Sequence, residues 1–208
     1  KIANQLNLKV VLVDVNQSTL NIDENKIESK INDNTKGIII THLFGYPCEI
    51  SKIQKIANKH NLKLIEDCAQ SFGSYYENQH TGNFGNVGIF STSLVKIPTT
   101  LGGGIIVTND KDLIKAVYDF NKQLPKSYVV YFKYFLKNFI SLLNSKPFIY
   151  TLFSSKIFSI LNKYNPRIYR KIIYSGMGLQ KEFDPSERSD LKKYQINFGL
   201  DQFENYST

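Results

Sequence analysis

The sequence predicts an α/β fold, a mostly parallel sheet flanked by helices, with an added helical segment. Three observations predict it. Apolar, β-branched runs at residues 9–15 (KVVLVDV), 37–41 (GIIIT) and 62–66 (LKLIE) read as strands. Stretches with helical spacing separate them, near 23–31 and over 50–60. The strand runs are continuously apolar rather than alternating, as in a parallel sheet covered on both faces.

In chain order, residues 9–15 form the first strand and 23–31 the first helix. The strand at 37–41 ends at His42. Ile50, Ile53, Ile56 and Ala57 then fall on one face of a helix over 50–60. The strand at 62–66 runs into Asp67, and shorter strands follow at 87–91 and 104–108. Asn109 or Asp110 caps a helix reaching about Asn121. Ligands of such sheets collect at the carboxyl ends of the strands, which makes the tips at His42, Asp67 and Ser91 the first places to look for chemistry.

Composition shifts after Leu124-Pro125. Residues 127–174 are rich in Phe, Tyr, Ile, Leu and Lys, and Pro147 and Pro166 divide them into helices. Lys126, Lys133, Lys137, Ser141 and Asn144 trace one polar stripe, and Thr151, Ser155, Ser159 and Asn162 another. Two readings stay open: a helical subdomain packed on protein, or a block that docks on an anionic membrane surface. Residues 191–204 read as a further amphipathic helix. The domains expected are 1–124, a cofactor-binding portion; 125–183, a helical insert; and 184–208, a helix leading toward a further domain.

The chain has 208 residues, 42% of them hydrophobic, enough for one well-buried domain. Its net charge of +8, from 26 Lys+Arg against 18 Asp+Glu, favours anionic partners such as nucleotides and phosphates. No zinc-finger, helix-turn-helix or RNA-binding signature accompanies that charge, so no nucleic-acid partner is expected. Cys48 and Cys68 lie in no CxxC or Cys/His cluster; they read as reduced, buried thiols of a cytoplasmic protein, with no metal site. No apolar run reaches membrane-spanning length. The chain opens on Lys1, almost directly into a strand-like run, and reads as a fragment.

Two segments could carry reactions. In Ile65-Glu66-Asp67-Cys68-Ala69-Gln70, an aspartate at a strand tip can aim a carboxylate into a crevice; a loop-satisfying aspartate would look the same. In the run from Phe90 to Lys96, followed by Gly102-Gly103-Gly104, a lysine stands between a strand and a glycine turn. A partly desolvated lysine there is neutral often enough to attack a carbonyl, whereas a plain surface lysine is the commoner fate.

Taken together, the ordered segments THLFGYP (41–47), IEDCAQ (65–70), GNFGNVG (82–88), FSTSLVK (90–96) and LGGGIIVTND (101–110) resemble the DegT/DnrJ/StrS family. Val13-Asp14-Val15 with Asn21-Ile22-Asp23, and NFGLDQFE (197–204), are similar to it as well. The resemblance covers about 1–124 and 184–206. It implies the large domain of a fold-type-I enzyme that uses pyridoxal 5'-phosphate (PLP), mostly aminotransferases of nucleotide-linked keto sugars. By resemblance, Lys96 is the catalytic lysine that holds the cofactor and moves the proton. Asp67 pairs with the pyridine nitrogen, Gln70 lies beside the ring hydroxyl, and Ser91 binds the phosphate. His42 is a candidate substrate-lining residue; a buried histidine satisfying its own loop is the competing reading. Related sugar dehydratases carry histidine where this chain has Lys96, which favours transamination.

Several departures accompany this. The turn Leu101-Gly102-Gly103-Gly104 lacks the family's acidic residue, and the family's upstream glycine–threonine phosphate segment and its small domain fall outside residues 1–208. The expected partners are a nucleotide-linked keto sugar, an amino-acid amino donor and, at full length, a second copy in a homodimer. The product would feed surface polysaccharide or lipopolysaccharide synthesis in the cytoplasm, or at the inner face of the membrane if the 127–174 block docks there. The alternative is a catalytically silent relative serving as a binding, regulatory or membrane-associated module.

Overall fold

The computed structural model describes residues 3, 6–93, 96–100, 102–124, 132, 135–136, 139–140, 143, 146–170 and 193–206. Contacts divide the chain into two compact units, one comprising Ala3–Gln123 with Leu191–Thr208 and the other Leu124–Asp190.

In the first unit, α1 (Glu24–Ile27) starts at Asp23, whose carboxylate accepts from the Asn25 amide, and a 3-10 turn continues it over Glu28–Lys30. Next come β1 (Gly37–Thr41), α2 (Ile50–Lys59) and β2 (Lys63–Asp67). A small hairpin of β3 (Tyr75–Tyr76) and β4 (Gln79–His80) turns through Glu77 and Asn78, both with positive φ, 45° and 64°. The sequence reading did not anticipate it. Then follow β5 (Val87–Ser91), β6 (Gly104–Val107) and α3 (Lys111–Lys122). Asp110 caps α3 by accepting from the Asp112 and Leu113 amides at 3.0 Å each.

The sheet has the order β1-β2-β5-β6. β1, β2 and β5 are parallel, and β6 runs antiparallel beside β5, so the sheet is mostly parallel with one reversed edge strand. In parallel register Thr41 faces Asp67 and Asp67 faces Ile89, while Ser91 faces Gly104 of β6. One face packs on α1 and α2: Ile38, Ile40 and Leu64 lie with Ile27, Cys48, Ile50, Ile53 and Ala57 in a single buried cluster. The other face is open among the described residues, with Ile39 at 62%, Ile89 at 42% and Ile106 at 45% exposure.

Two expectations are corrected here. The run 9–15 forms no strand; its sole pairing is the Val15–Ile22 bridge, and Leu12 is 83% exposed. A β-branched run becomes a strand only beside a partner ladder, and no described segment offers one. The continuous isoleucine runs likewise do not mark a sheet packed on both faces within the described residues.

In the second unit, Pro147 opens α4 (Pro147–Ile149), a π-helical turn spans Tyr150–Ser154, and α5 covers Ser155–Tyr164. Ser155 Oγ donates back to the Thr151 carbonyl at 2.8 Å. A further helical segment begins at Pro166, where the Asn165 side chain accepts from the Ile168 amide. Both prolines thus sit at helix starts, as the sequence suggests. The stripe Lys126, Lys133, Lys137, Ser141 and Asn144 lies outside the described residues. Among the described residues no helix is long and apolar enough to cross a membrane. The last helix, α6 (Lys193–Tyr206), belongs to the first unit.

Candidate active site

Strand parity sorts the polar residues at the sheet's carboxyl end. Successive side chains of a strand point to opposite faces, so Thr41, Asp67, Ile89 and Ser91 share the open face while Glu66 shares the packed one. Exposure follows: Glu66 is 0% exposed and Asp67 is half-buried. His42 and Cys68, one residue beyond the paired Thr41 and Asp67, continue on the inner side and are buried as well.

The inner group is a closed hydrogen-bond network. Glu66 Oε2 lies 3.1 Å from His42 Nε2 and accepts from the Gly82 amide at 2.8 Å. Glu66 Oε1 accepts from the amides of Phe84 at 2.7 Å and Gly85 at 2.6 Å. His42 Nδ1 accepts from the Cys48 amide at 3.1 Å. That last bond fixes the tautomer: Nδ1 carries the lone pair, and Nε2–H donates to the carboxylate. Burial works to raise the Glu66 pKa, but the bonds from His42 and from the Gly85, Gly82 and Phe84 amides outweigh it and hold the carboxyl below the usual glutamate value. The side chain therefore ties two loops, 42–48 and 82–85, to the sheet.

His42, Glu66 and Cys68 place ligand-type atoms within 4.8 Å of one another. A metal on His42 Nε2 would need the proton on Nδ1, where it would point at the Cys48 N–H, so the network opposes an ion in that position. Burial pushes the Cys48 thiol up to about 12 and the Cys68 thiol to about 11. Both are free, inert thiols. His42 has no exposed surface and both ring nitrogens are engaged, the arrangement expected of a buried histidine that satisfies its own loop.

The open face presents the other set. Asp67 Oδ1 accepts from the Ala69 amide at 3.0 Å, while Oδ2 has a long contact, 3.5 Å, with Thr41 Oγ1. One oxygen thus holds the strand-end turn, and the other retains capacity for a strong donor. Gln70 Oε1 accepts from the Phe44 amide at 3.0 Å, tying the end of the 65–70 segment to the left-handed turn at Phe44. Ser91 ends β5, its hydroxyl 3.5 Å from the Ser93 amide.

Lys96 stands half-buried on the loop that leaves β5, its amide donating to the Ser93 carbonyl at 2.9 Å. Threonines build this loop. Thr92 and Thr100 are buried, with Thr100 Oγ1 donating to Thr92 Oγ1 at 2.7 Å and also contacting the Gly102 carbonyl. Thr99 Oγ1 contacts the carbonyls of Thr92 at 3.2 Å and Ser93 at 2.9 Å. Gly103, at φ 93°, occupies a left-handed conformation that other residues rarely adopt, and an added Cβ on Gly104 would stand 2.7 Å from the Phe90 carbonyl. The glycines therefore serve the tight return into β6. Glu66, Thr92, Thr99 and Thr100 escaped the sequence reading; the parity of Glu66 against Asp67 was the available signal for the first.

A model of the DegT/DnrJ/EryC1/StrS aminotransferase family matches residues 1–128. The chain is 41% identical over 113 residues to the GDP-perosamine synthase of Escherichia coli O157:H7, covering 54% of this chain and 31% of that protein. Among solved structures it resembles Helicobacter pylori PseC, an aminotransferase involved in the biosynthesis of pseudoaminic acid. The TM-score is 0.56 at 31% identity, over 60% of this chain and 34% of that one. It also resembles the E. coli GDP-4-keto-6-deoxy-D-mannose-3-dehydratase with bound hydrated PLP, at TM-score 0.55 and 32% identity, over 60% and 33% of the two chains. The chain spans about a third of the length of these relatives.

Proposed function

The chain belongs to the DegT/DnrJ/EryC1/StrS aminotransferase family, and from that membership we propose that the intact protein is a PLP-dependent aminotransferase of a nucleotide-linked keto-deoxysugar. The observation that carries this reading is the division of the two adjacent carboxylates. Glu66 is consumed by structure, which leaves Asp67 on the open face at a strand's carboxyl end, with Ser91 at the end of the adjacent strand and Lys96 on the loop beyond.

The donor set suits the cofactor. The spare capacity of Asp67 Oδ2 fits a ring N–H, the Ser91 hydroxyl fits a phosphate, and Gln70 lies in the segment that follows Asp67. When bound, PLP supplies an electron sink for the carbon that changes hands. Lys96 would hold the cofactor through its amine and would carry the proton to and from the substrate carbon. Asp67 would pair with the ring nitrogen, its negative charge favouring the protonated form.

Glutamate or glutamine is the proposed amino donor, and a surface polysaccharide or lipopolysaccharide the destination of the aminated sugar. The sugar names of the relatives support this class. Lysine rather than histidine at position 96 supports transamination over dehydration. Two copies forming a homodimer in the cytoplasm, and a domain organisation of 1–124, 125–183 and 184–208, complete the reading.

The test is a titration of the intact protein with PLP, followed by an amino-transfer assay with glutamate and nucleotide-linked keto sugars. Wild type should turn yellow and transfer the group. Lys96→Ala should keep its fold and lose transfer by at least about 1,000-fold. Asp67→Asn should bind the cofactor yet lose most turnover. A folded wild type that takes up no cofactor would point instead to a silent relative.

One observation supports a second, compatible role. On the second unit Phe153, Ile157 and Ile160 are 61%, 55% and 58% exposed, beside Lys156 and Lys163, a pattern suited to an anionic membrane face. Co-sedimentation with anionic but not neutral vesicles would support it, and equal recovery from both would remove it.

A further inference from the structure

The helix α6 meets the Lys96 loop through three residues on one of its faces. Gln202 Oε1 accepts from the Thr99 amide at 3.0 Å, and Gln202 Nε2 donates to the carbonyl of the same Thr99 at 2.8 Å. Gln195 Nε2 donates to the Thr100 carbonyl at 3.1 Å. Between them, Gly199 brings the helix backbone so close that an added Cβ would stand 2.6 Å from Thr100 Cγ2. Positions 195, 199 and 202 are spaced four and three apart, as one helical face requires. Phe203 packs edge-on against Phe72, which packs edge-on against Phe90 of β5, anchoring that face to the sheet.

The paired bonds at Thr99 do what a neighbouring β-strand would do: one primary amide satisfies both backbone groups of one residue. Thr99 is also the residue whose hydroxyl closes the loop onto Thr92 and Ser93. Lys96, three residues before Thr99, thus stands on a loop pinned at its base by Thr99, and Thr99 is pinned to α6.

We propose that Gln202, assisted by Gln195 across the Gly199 contact, is a positioning residue for Lys96, and that α6 acts as a splint for the loop carrying the reactive amine. This rests on the role given to Lys96 above. Such a splint fixes where the amine meets a carbonyl without touching cofactor or substrate. Losing it should cost reaction rate more than binding, because small misplacements of a reacting group are expensive in rate.

The experiment uses the intact protein, its Gln202→Leu and Gln195→Leu variants, and two readouts. The first, without cofactor, is hydrogen exchange at the Thr99 amide against amides of β1 and β2. The second is the rate at which PLP becomes fixed to Lys96 by borohydride, compared with non-covalent cofactor affinity. Gln202→Leu should lose Thr99 protection, keep that of β1 and β2, and slow fixation roughly 10- to 100-fold with affinity changed much less. Gln195→Leu, which removes one bond, should shift both in the same direction by less, and it serves if Gln202→Leu does not fold. Fixation at the wild-type rate despite lost Thr99 protection would overturn the positioning role. Unchanged Thr99 protection in Gln202→Leu would overturn the clamp itself. If wild type fixes no cofactor, the function proposed above fails, and the exchange arm still decides whether the clamp exists.

Discussion

Replacing Glu66 with glutamine keeps the side chain's shape and removes one acceptor from a network that supplies only donors. The carboxylate now receives His42 Nε2–H and the amides of Gly82, Phe84 and Gly85. A glutamine would turn its own N–H groups on one or two of them. The expected loss is about 3 kcal/mol of stability, measurable by urea unfolding. Because the folded carboxyl sits below its ordinary value of 4.5, its contribution is present above that pH and disappears as pH falls through the folded value. Wild type should therefore lose stability below about pH 4.5, and Glu66→Gln should show a flatter acid limb. Asp67→Asn should cost less than about 1 kcal/mol in the same urea measurement, since that residue holds little besides its own turn. The thiols give a simpler check. With burial pushing Cys48 to about 12 and Cys68 to about 11, neither should react with iodoacetamide at neutral pH until the protein unfolds.

At the scale of elements, caps and close approaches set the geometry. Asp110 accepts from two amides at the start of α3, so Asp110→Ala should cost about 1 kcal/mol. Gly88 is more demanding: a Cβ there would stand 2.3 Å from the Gly82 carbonyl oxygen. Gly88→Ala should push β5 and the 82–85 loop apart and lower the melting temperature by several degrees. Most of these elements were legible in the sequence. The strands at Gly37–Thr41 and Val87–Ser91 and the Asp110 cap appear as composition and spacing suggest, because each signal is local. The run 9–15 was misread for the opposite reason, since a strand is a property of a pair. The Tyr75–Tyr76 and Gln79–His80 hairpin was missed because its strands are too short to show a period. His42 and Glu66 could not be assigned from sequence either. Three consecutive isoleucines ahead of His42, and Leu64-Ile65 ahead of Glu66, hide which parity faces inward, and only the register of β1 with β2 reveals it.

For the whole molecule, a charge of +8 agrees with an anionic cofactor and an anionic sugar nucleotide, though it selects neither. The proposed cofactor site rests on the convergence of segments far apart in the chain. Asp67 and Ser91 come to one open face by parallel pairing, and α6 reaches the Lys96 loop from about a hundred residues away. The family motifs made Lys96, Asp67, Gln70 and Ser91 nameable from sequence, whereas the Gln195, Gly199 and Gln202 face needed coordinates to show what it touches. In the proposed function Lys96 is the residue that carries the cofactor. The most direct measurement of that role is borohydride reduction of the PLP-loaded intact protein, followed by proteolysis and mass mapping of the modified peptide. A single phosphopyridoxyl group on the peptide containing Lys96, absent from Lys96→Ala, is the expected result; label on another lysine, or label that persists in Lys96→Ala, would contradict that role.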